Sequence, residues 1–308
     1  MTAEVFPGGG LFQRGASAFA ASVPADPADD GFFGPGSVTW RLHADLSAPV
    51  SGLRSLLLQA LHPLAMAGVE QHSQWRDDPG DRFAATSAYV LTITYGDRSA
   101  ARAAAARVRK VHERVTGTDP VTGKAYAAND PALLIWVHAA LVESGLAAAA
   151  GYGPALTPAE QDQYVAEMTA AAELVGVPAA SFADGGAPAS VAELNAYFDA
   201  VRPSLAASQS TADIAAYLLG MPAVEPELAD VWAVLASAAV ASLPSWARAM
   251  YGFGDASGPA PGLVPPERAA VRQVLGVLDA IYLGEPGVLE ARQRLTLRMR
   301  SAQRAQGR

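Results

Sequence analysis

Cysteine is absent from all 308 residues. Its absence removes disulfides, thiolate nucleophiles, iron–sulfur clusters and cysteine-held zinc from consideration. Histidine is scarce at five residues, and aromatic residues make up only 7%. Charged residues are 17% of the chain and leave a net charge of -8. An acidic chain lacks the basic surface that phosphate binding needs, so no nucleic-acid partner is expected. No apolar run reaches about 18 residues without a charge or a proline, so no transmembrane span is expected. Met1 to Phe12 has no basic start followed by an apolar stretch, so a secretory signal is not expected and the reading is a soluble, cytoplasmic protein.

What the chain has in excess is hydrophobic residues, at 51%, and alanine runs such as Ala103 to Ala106, which favour helix because alanine loses no side-chain entropy. Residues 1–36, rich in Gly, Pro, Ala and Asp, read as a flexible arm without its own core. Residues 37–308 read as one all-α domain. Helices are predicted near 51–72, 80–95, 98–116, 130–148, 158–175, 190–204, 211–219, 226–242, 265–283 and 286–304, with 252–264 as the most irregular loop. Asp78-Pro79 and Asp130-Pro131 place a capping acid before a proline at the first helical position. Thr157-x-x-Glu160 and Ser190-x-x-Glu193 are capping boxes. Gly176-Val177-Pro178 and Gly220-Met221-Pro222 read as helix stops. His62-Pro63 marks a break. Tyr89 to Tyr95 is the best strand candidate, and helical spacing explains it equally well.

Four of the five histidines lie between Gly52 and Ser144. His112 shares a predicted helix face with Val108, Val111 and Val115, which makes it an inward imidazole and a candidate axial ligand for iron. His138, between Leu134, Ile135, Leu141 and Val142, is its rival, and a second-layer hydrogen bond is its blander role. Arg82 and Thr86, four residues apart, share a helix face. They could meet a haem propionate or a bound oxygen, or be an ordinary surface pair. Glu70 is a candidate general base if buried. Paired Glu-x-x-His, His-Glu-x-x-His and Gly-x-Ser-x-Gly motifs are missing. Gly117-x5-Gly123-Lys124 misses a phosphate loop by one residue. Gly8-Gly9-Gly10 has no strand before it. Arg292, Arg294, Arg298, Arg300 and Arg304 make the last helix basic: a candidate for peripheral membrane contact, or simply a solvated face.

The order of Leu61-His62-Pro63, Arg82-x-x-x-Thr86, Tyr95-Gly96-Asp97, Val108-x-x-x-His112, Tyr126-x-x-x-Asp130 and Trp136-Val137-His138 resembles the MpaB and latex-clearing-protein family of haem-dependent oxygenases. The likeness covers Trp40 to Val177 and continues more weakly from Leu243 to Gly252. It implies a helical core holding haem b, iron on one proximal histidine, and catalysis with O2 on a hydrophobic alkene or isoprenoid-like molecule. By the resemblance, Arg82 and Thr86 line the haem pocket, His112 holds the iron, and Glu70 is the nearest match to the catalytic glutamate. The lysine that precedes the threonine in rubber-cleaving members is Ala85 here, so a lysine-capped iron does not carry over. A non-catalytic haem-binding, sensing or hydrophobic-ligand-binding helical protein is the alternative.

Overall fold

The computed structural model describes residues 11–73, 76, 79–220, 229–254, 266–305 and 307; for 11–13 and 79–83 it describes the backbone alone. The Gly8-Gly9-Gly10 run, Asp78, Met221-Pro222, the start of the helix expected from 226 and most of the 252–264 loop lie outside the described residues. The chain runs α1 (Leu11–Ser22), α2 (Val38–His43), α3 (Ala48–Gln59), α4 (Pro63–His72), α5 (Pro79–Tyr95) and α6 (Arg98–His112). A short hairpin, β1 (Thr116–Thr118) and β2 (Ala125–Ala127), follows. Then come α7 (Pro131–Tyr152), α8 (Pro158–Val175), α9 (Val191–Val201), α10 (Gln209–Gly220), α11 (Ala229–Ser242), α12 (Ser245–Tyr251), α13 (Arg268–Leu283) and α14 (Val288–Ala305). The fold is all-α, as the sequence indicates.

α7 is the axle. Most of its residues are buried, Trp136 completely, and it packs on α3, α8, α11 and α13. By length and composition it could cross a membrane, but 61% of its apolar window is buried inside the protein. That is how a helix without a polar face sits in a globular core. Arg54 ties α3 to α7. Its guanidinium bonds both carboxylate oxygens of Glu143, Ser144 Oγ at 2.8 Å and the Ser242 carbonyl at 3.0 Å.

Pro63 breaks the helix expected over 51–72, because its ring disfavours helical backbone at the preceding residue; His62 is extended, at φ -92 and ψ 113. The break frees three carbonyls, and each finds a tertiary donor. Gln59 accepts from Trp136 Nε1 at 3.0 Å, Ala60 from Thr211 Oγ1 at 3.1 Å, and Leu61 from the Ala206 amide at 2.9 Å. The kink is therefore where α7, α10 and the segment before α10 are tied to the α3–α4 unit.

The structure departs from the sequence reading at the N-terminus and at the end of α6. The first 36 residues are not an arm throughout. α1 packs on α5 and α14, with Ala16 and Val23 sealed, Phe19 edge-on to Tyr95, and Ser22 Oγ 3.2 Å from Thr92 Oγ1. α6 ends at His112, not 116, because Val115, Thr116 and Thr118 favour extended backbone and pair across to Ala125–Ala127. The phosphate-loop near miss is this hairpin's turn: Asp119 accepts from the amides of Val121 and Thr122, and Gly123 takes φ +71. The caps at Asp130 and Thr157 form as read, the latter as a full capping box.

Candidate functional site

α5 and α6 are joined over only Gly96 and Asp97, so they run antiparallel, and the start of α5 stands level with the end of α6. On α5, positions 82, 86, 89 and 93 follow at intervals of four, three and four, which is one strip of a helix. Ile93, the innermost, is 2% exposed in the main core, and Tyr89 packs against the same core. Arg82 and Thr86 thus continue a core-facing strip toward the open end of the hairpin. Thr86 there is solvent accessible. The side chain of Arg82 lies outside the described residues.

α6 repeats the interval. Ala101, Ala105, Val108 and His112 form one strip; Ala101 and Ala105 are fully buried and Val108 and His112 half-buried. His112 therefore extends the inner face of α6, with its Nδ1 buried. Val111, expected on that face, is 61% exposed; it lies a hundred degrees around the helix, and solvent rather than core covers it. Positions 82 and 86 of α5 and 112 of α6 thus lie toward the same end of the hairpin, where α5 begins and α6 ends; Thr86 is exposed there and His112 half-buried.

α7 enters beside the same end: the Ala128 amide donates to the Val115 carbonyl at 2.9 Å and Asn129 Nδ2 to the Arg109 carbonyl at 3.2 Å. His138 is on the strip Leu134, His138, Leu141 and Gly145. Leu134 shares an apolar cluster with Ala172 of α8, and a Cβ on Gly145 would stand 2.5 Å from the Tyr164 hydroxyl. His138 is thus buried under α8. Its Nε2 has no protein partner among the described residues, and burial pushes it down to about 4, so it stays neutral. Val137, next to it on this otherwise buried turn, is 40% exposed.

The remaining histidines have separate settings. His62 caps α4 with its ring 5.7 Å from that of Trp136; its Nδ1 is buried without a protein partner among the described residues, and burial lowers its pKa. His72 Nε2 donates to the Thr116 carbonyl at 3.0 Å. His43 is buried between Thr94 and Tyr164. Glu70 does not sit in the core. Its carboxylate accepts from Arg76 Nε at 2.8 Å, and Arg76 also reaches Asp213 of α10. The general-base role read for Glu70 presupposed burial, and an accessible ion pair has taken that oxygen.

Among the described residues no three His, Asp or Glu side chains converge as a metal site. A haem needs no such cluster, because the porphyrin supplies four ligands and the protein one axial group. The half-buried imidazole of His112 at the end of a regular helix fits that requirement.

Three of the five arginines of the C-terminal helix are engaged within the protein. Arg292 pairs with Asp279, Arg294 donates to the Val23 carbonyl at 3.0 Å, and Arg298 bonds Asp30 at 2.9 Å while lying 4.7 Å over the Trp40 ring. These three hold α14 against α13 and the N-terminal segment. Only Arg300 and Arg304 of the five remain exposed on its last turns.

Sequence inspection missed Tyr89. The signal was present, three residues after Thr86 and seven after Arg82, but a tyrosine in an apolar run reads as core. In comparisons with known proteins, the model of the family described as ER-bound oxygenase mpaB/B'/rubber oxygenase, catalytic domain, matches residues 40–277. No curated protein and no solved structure matches the chain.

Proposed function

The chain belongs to the mpaB and rubber-oxygenase catalytic-domain family and is an oxygenase-type oxidoreductase; on that premise we propose that it holds haem b at the open end of the α5–α6 hairpin and acts with O2 on a hydrophobic small molecule. The observation that supports this reading is that positions 82 and 86 of α5 and the half-buried His112 of α6 lie toward the same end of one helical hairpin. When bound, haem supplies the iron redox chemistry. His112 would hold the haem iron: α6 fixes its direction, and the buried face of that helix limits its motion. Thr86, exposed one turn after position 82, would donate a hydrogen bond to an oxygen atom or a carboxylate. The apolar composition of the chain is in keeping with an alkene or isoprenoid-like substrate. Ala85 leaves no amine to cap the iron.

His138 is the weaker candidate ligand, because its strip is covered by α8. An absorption spectrum of protein expressed with ample iron and haem precursor tests the reading. A Soret band at near-stoichiometric haem is expected, lost in His112→Ala and kept in His138→Ala. Retention of the band in His112→Ala would reassign the ligand. No band after haem reconstitution would sink the haem reading and favour a protein that binds hydrophobic ligands without it.

A further inference from the structure

Tyr89 completes the strip that carries Arg82 and Thr86, and its hydroxyl is buried with no hydrogen-bond partner among the described residues. Buried polar atoms in folded proteins are almost always paired, and a phenol in an apolar run normally turns its hydroxyl to water or a carbonyl. Among the described residues neither partner exists, although Tyr89 packs against the core that contains Ile93. Phenylalanine would fill the same space without a buried hydroxyl. Retaining the oxygen therefore calls for a partner outside the described residues.

The surroundings select the chemistry of that partner. Burial pushes the Tyr89 phenol up to about 12, so it keeps its proton and acts as a donor across the physiological range. The nearby cationic side chain is Arg109, whose charge bears on the same phenol and whose Nη1 reaches the Leu174 carbonyl. A donor beside a guanidinium favours an anionic oxygen over a neutral or cationic group.

We propose that Tyr89 is a third polar residue of the α5 strip, donating its hydroxyl to an anionic oxygen of the group bound at the Arg82–Thr86–His112 site. This inference rests on the haem reading above. The acceptor is then either a haem propionate or an anion on the iron, and both are met by the same phenolic donor. Thr86 and Tyr89 lie three residues apart on one helix, so a flat bound group would meet two donors along its edge or face.

The test compares the unaltered protein with Tyr89→Phe, which removes one oxygen and keeps the ring. Three readouts are taken: thermal melting of the haem-free protein, the haem dissociation constant by Soret titration, and the fluoride dissociation constant of the ferric protein. The haem-free melting temperature should stay the same or rise, because an unpaired buried hydroxyl is removed. One of the two dissociation constants should rise about tenfold, as expected for losing a hydrogen bond to a charged acceptor. A weaker haem constant alone assigns the propionate, and a weaker fluoride constant alone assigns the iron side. A lower melting temperature in the haem-free state overturns the inference, because the hydroxyl would then have a structural partner. Unchanged constants also overturn it and leave the haem reading standing. An unaltered protein that takes up no haem overturns both. Tyr89→Leu, if it folds, should match Tyr89→Phe in whichever constant moves.

Discussion

His43 and Tyr164 are locked in a hydrogen bond with one direction. His43 Nδ1 is 2.8 Å from Thr94 Oγ1 and its Nε2 is 3.2 Å from the Tyr164 hydroxyl. Thr94 gives its own proton to the Val90 carbonyl at 2.7 Å, so it can only accept from Nδ1–H. Nε2 is then bare, and Tyr164 must donate to it. This relay joins α2, α5 and α8 near the C-terminal end of α5, away from positions 82 and 86 at its start.

Tyr164→Phe should cost about 1 kcal/mol, the net worth of one hydrogen bond, plus the penalty of an unpaired Nε2. Urea unfolding of the haem-free protein measures it. An unchanged midpoint would mean that the relay adds nothing to stability.

Burial holds His43 down to about 4, against an ordinary value near 6.5. The unfolded chain takes up this proton at higher pH than the folded one. The contribution is complete above about pH 6.5 and is lost as the pH falls toward 4, by at most about 3 kcal/mol. Denaturation midpoints between pH 7 and 4 should show this slope, and His43→Gln should flatten it. Parallel slopes in the two proteins would count against the assignment.

Arg54 is 1% exposed, and its charge depends on Glu143. Glu143→Ala leaves that guanidinium buried without its counter-ion and should destabilise by about 3 kcal/mol or more. A double change, Arg54→Met with Glu143→Leu, should recover much of the loss. If it is no better than the single change, packing rather than charge controls this contact.

Gly145 has no room for a side chain. Its Cβ would lie 2.5 Å from the Tyr164 hydroxyl and 3.1 Å from the ring carbon that bears it. Gly145→Ala should therefore cost about 1–3 kcal/mol by overpacking and displace Tyr164 from His43. Gly151, on the same helix with nothing within 4 Å, is the control. Gly151→Ala should be neutral or slightly stabilising in the same melts.

Arg298 joins the C-terminal helix to Asp30 and Trp40. Changing Arg292, Arg294 and Arg298 to Ala together should loosen the 23–37 segment and speed its cleavage in limited proteolysis. Changing Arg300 and Arg304 should leave the cleavage rate alone. Equal rates for both variants would contradict the tethering role.

Much of this architecture could be read along the chain because it is set by neighbours in sequence. The capping side chains of Thr157 and Asp130 act within one turn, and Pro63 acts on the residue before it. The site was legible as spacing: Arg82 to Thr86 and Val108 to His112 gave the strips but not their direction. Glu70 illustrates the limit. A glutamate two turns after His62 is as compatible with a buried base as with the ion pair it forms to Arg76, and only residues on α10 decide between them. Val111 shows the same limit, since its apolar side chain gives no sign of which side the core will be on.

The sequence by itself determined the helical class, most helix ends, the break at His62 and the family. It did so because backbone preference and apolar period are local properties of the chain. Tertiary structure decided which strips face inward, that Arg294 and Arg298 of the C-terminal helix bind the N-terminal segment while Arg292 pairs with α13, and that Tyr89 turns a buried hydroxyl beside Arg109. Those facts depend on solvation and on charges brought close by packing from distant parts of the chain, and no local pattern encodes them.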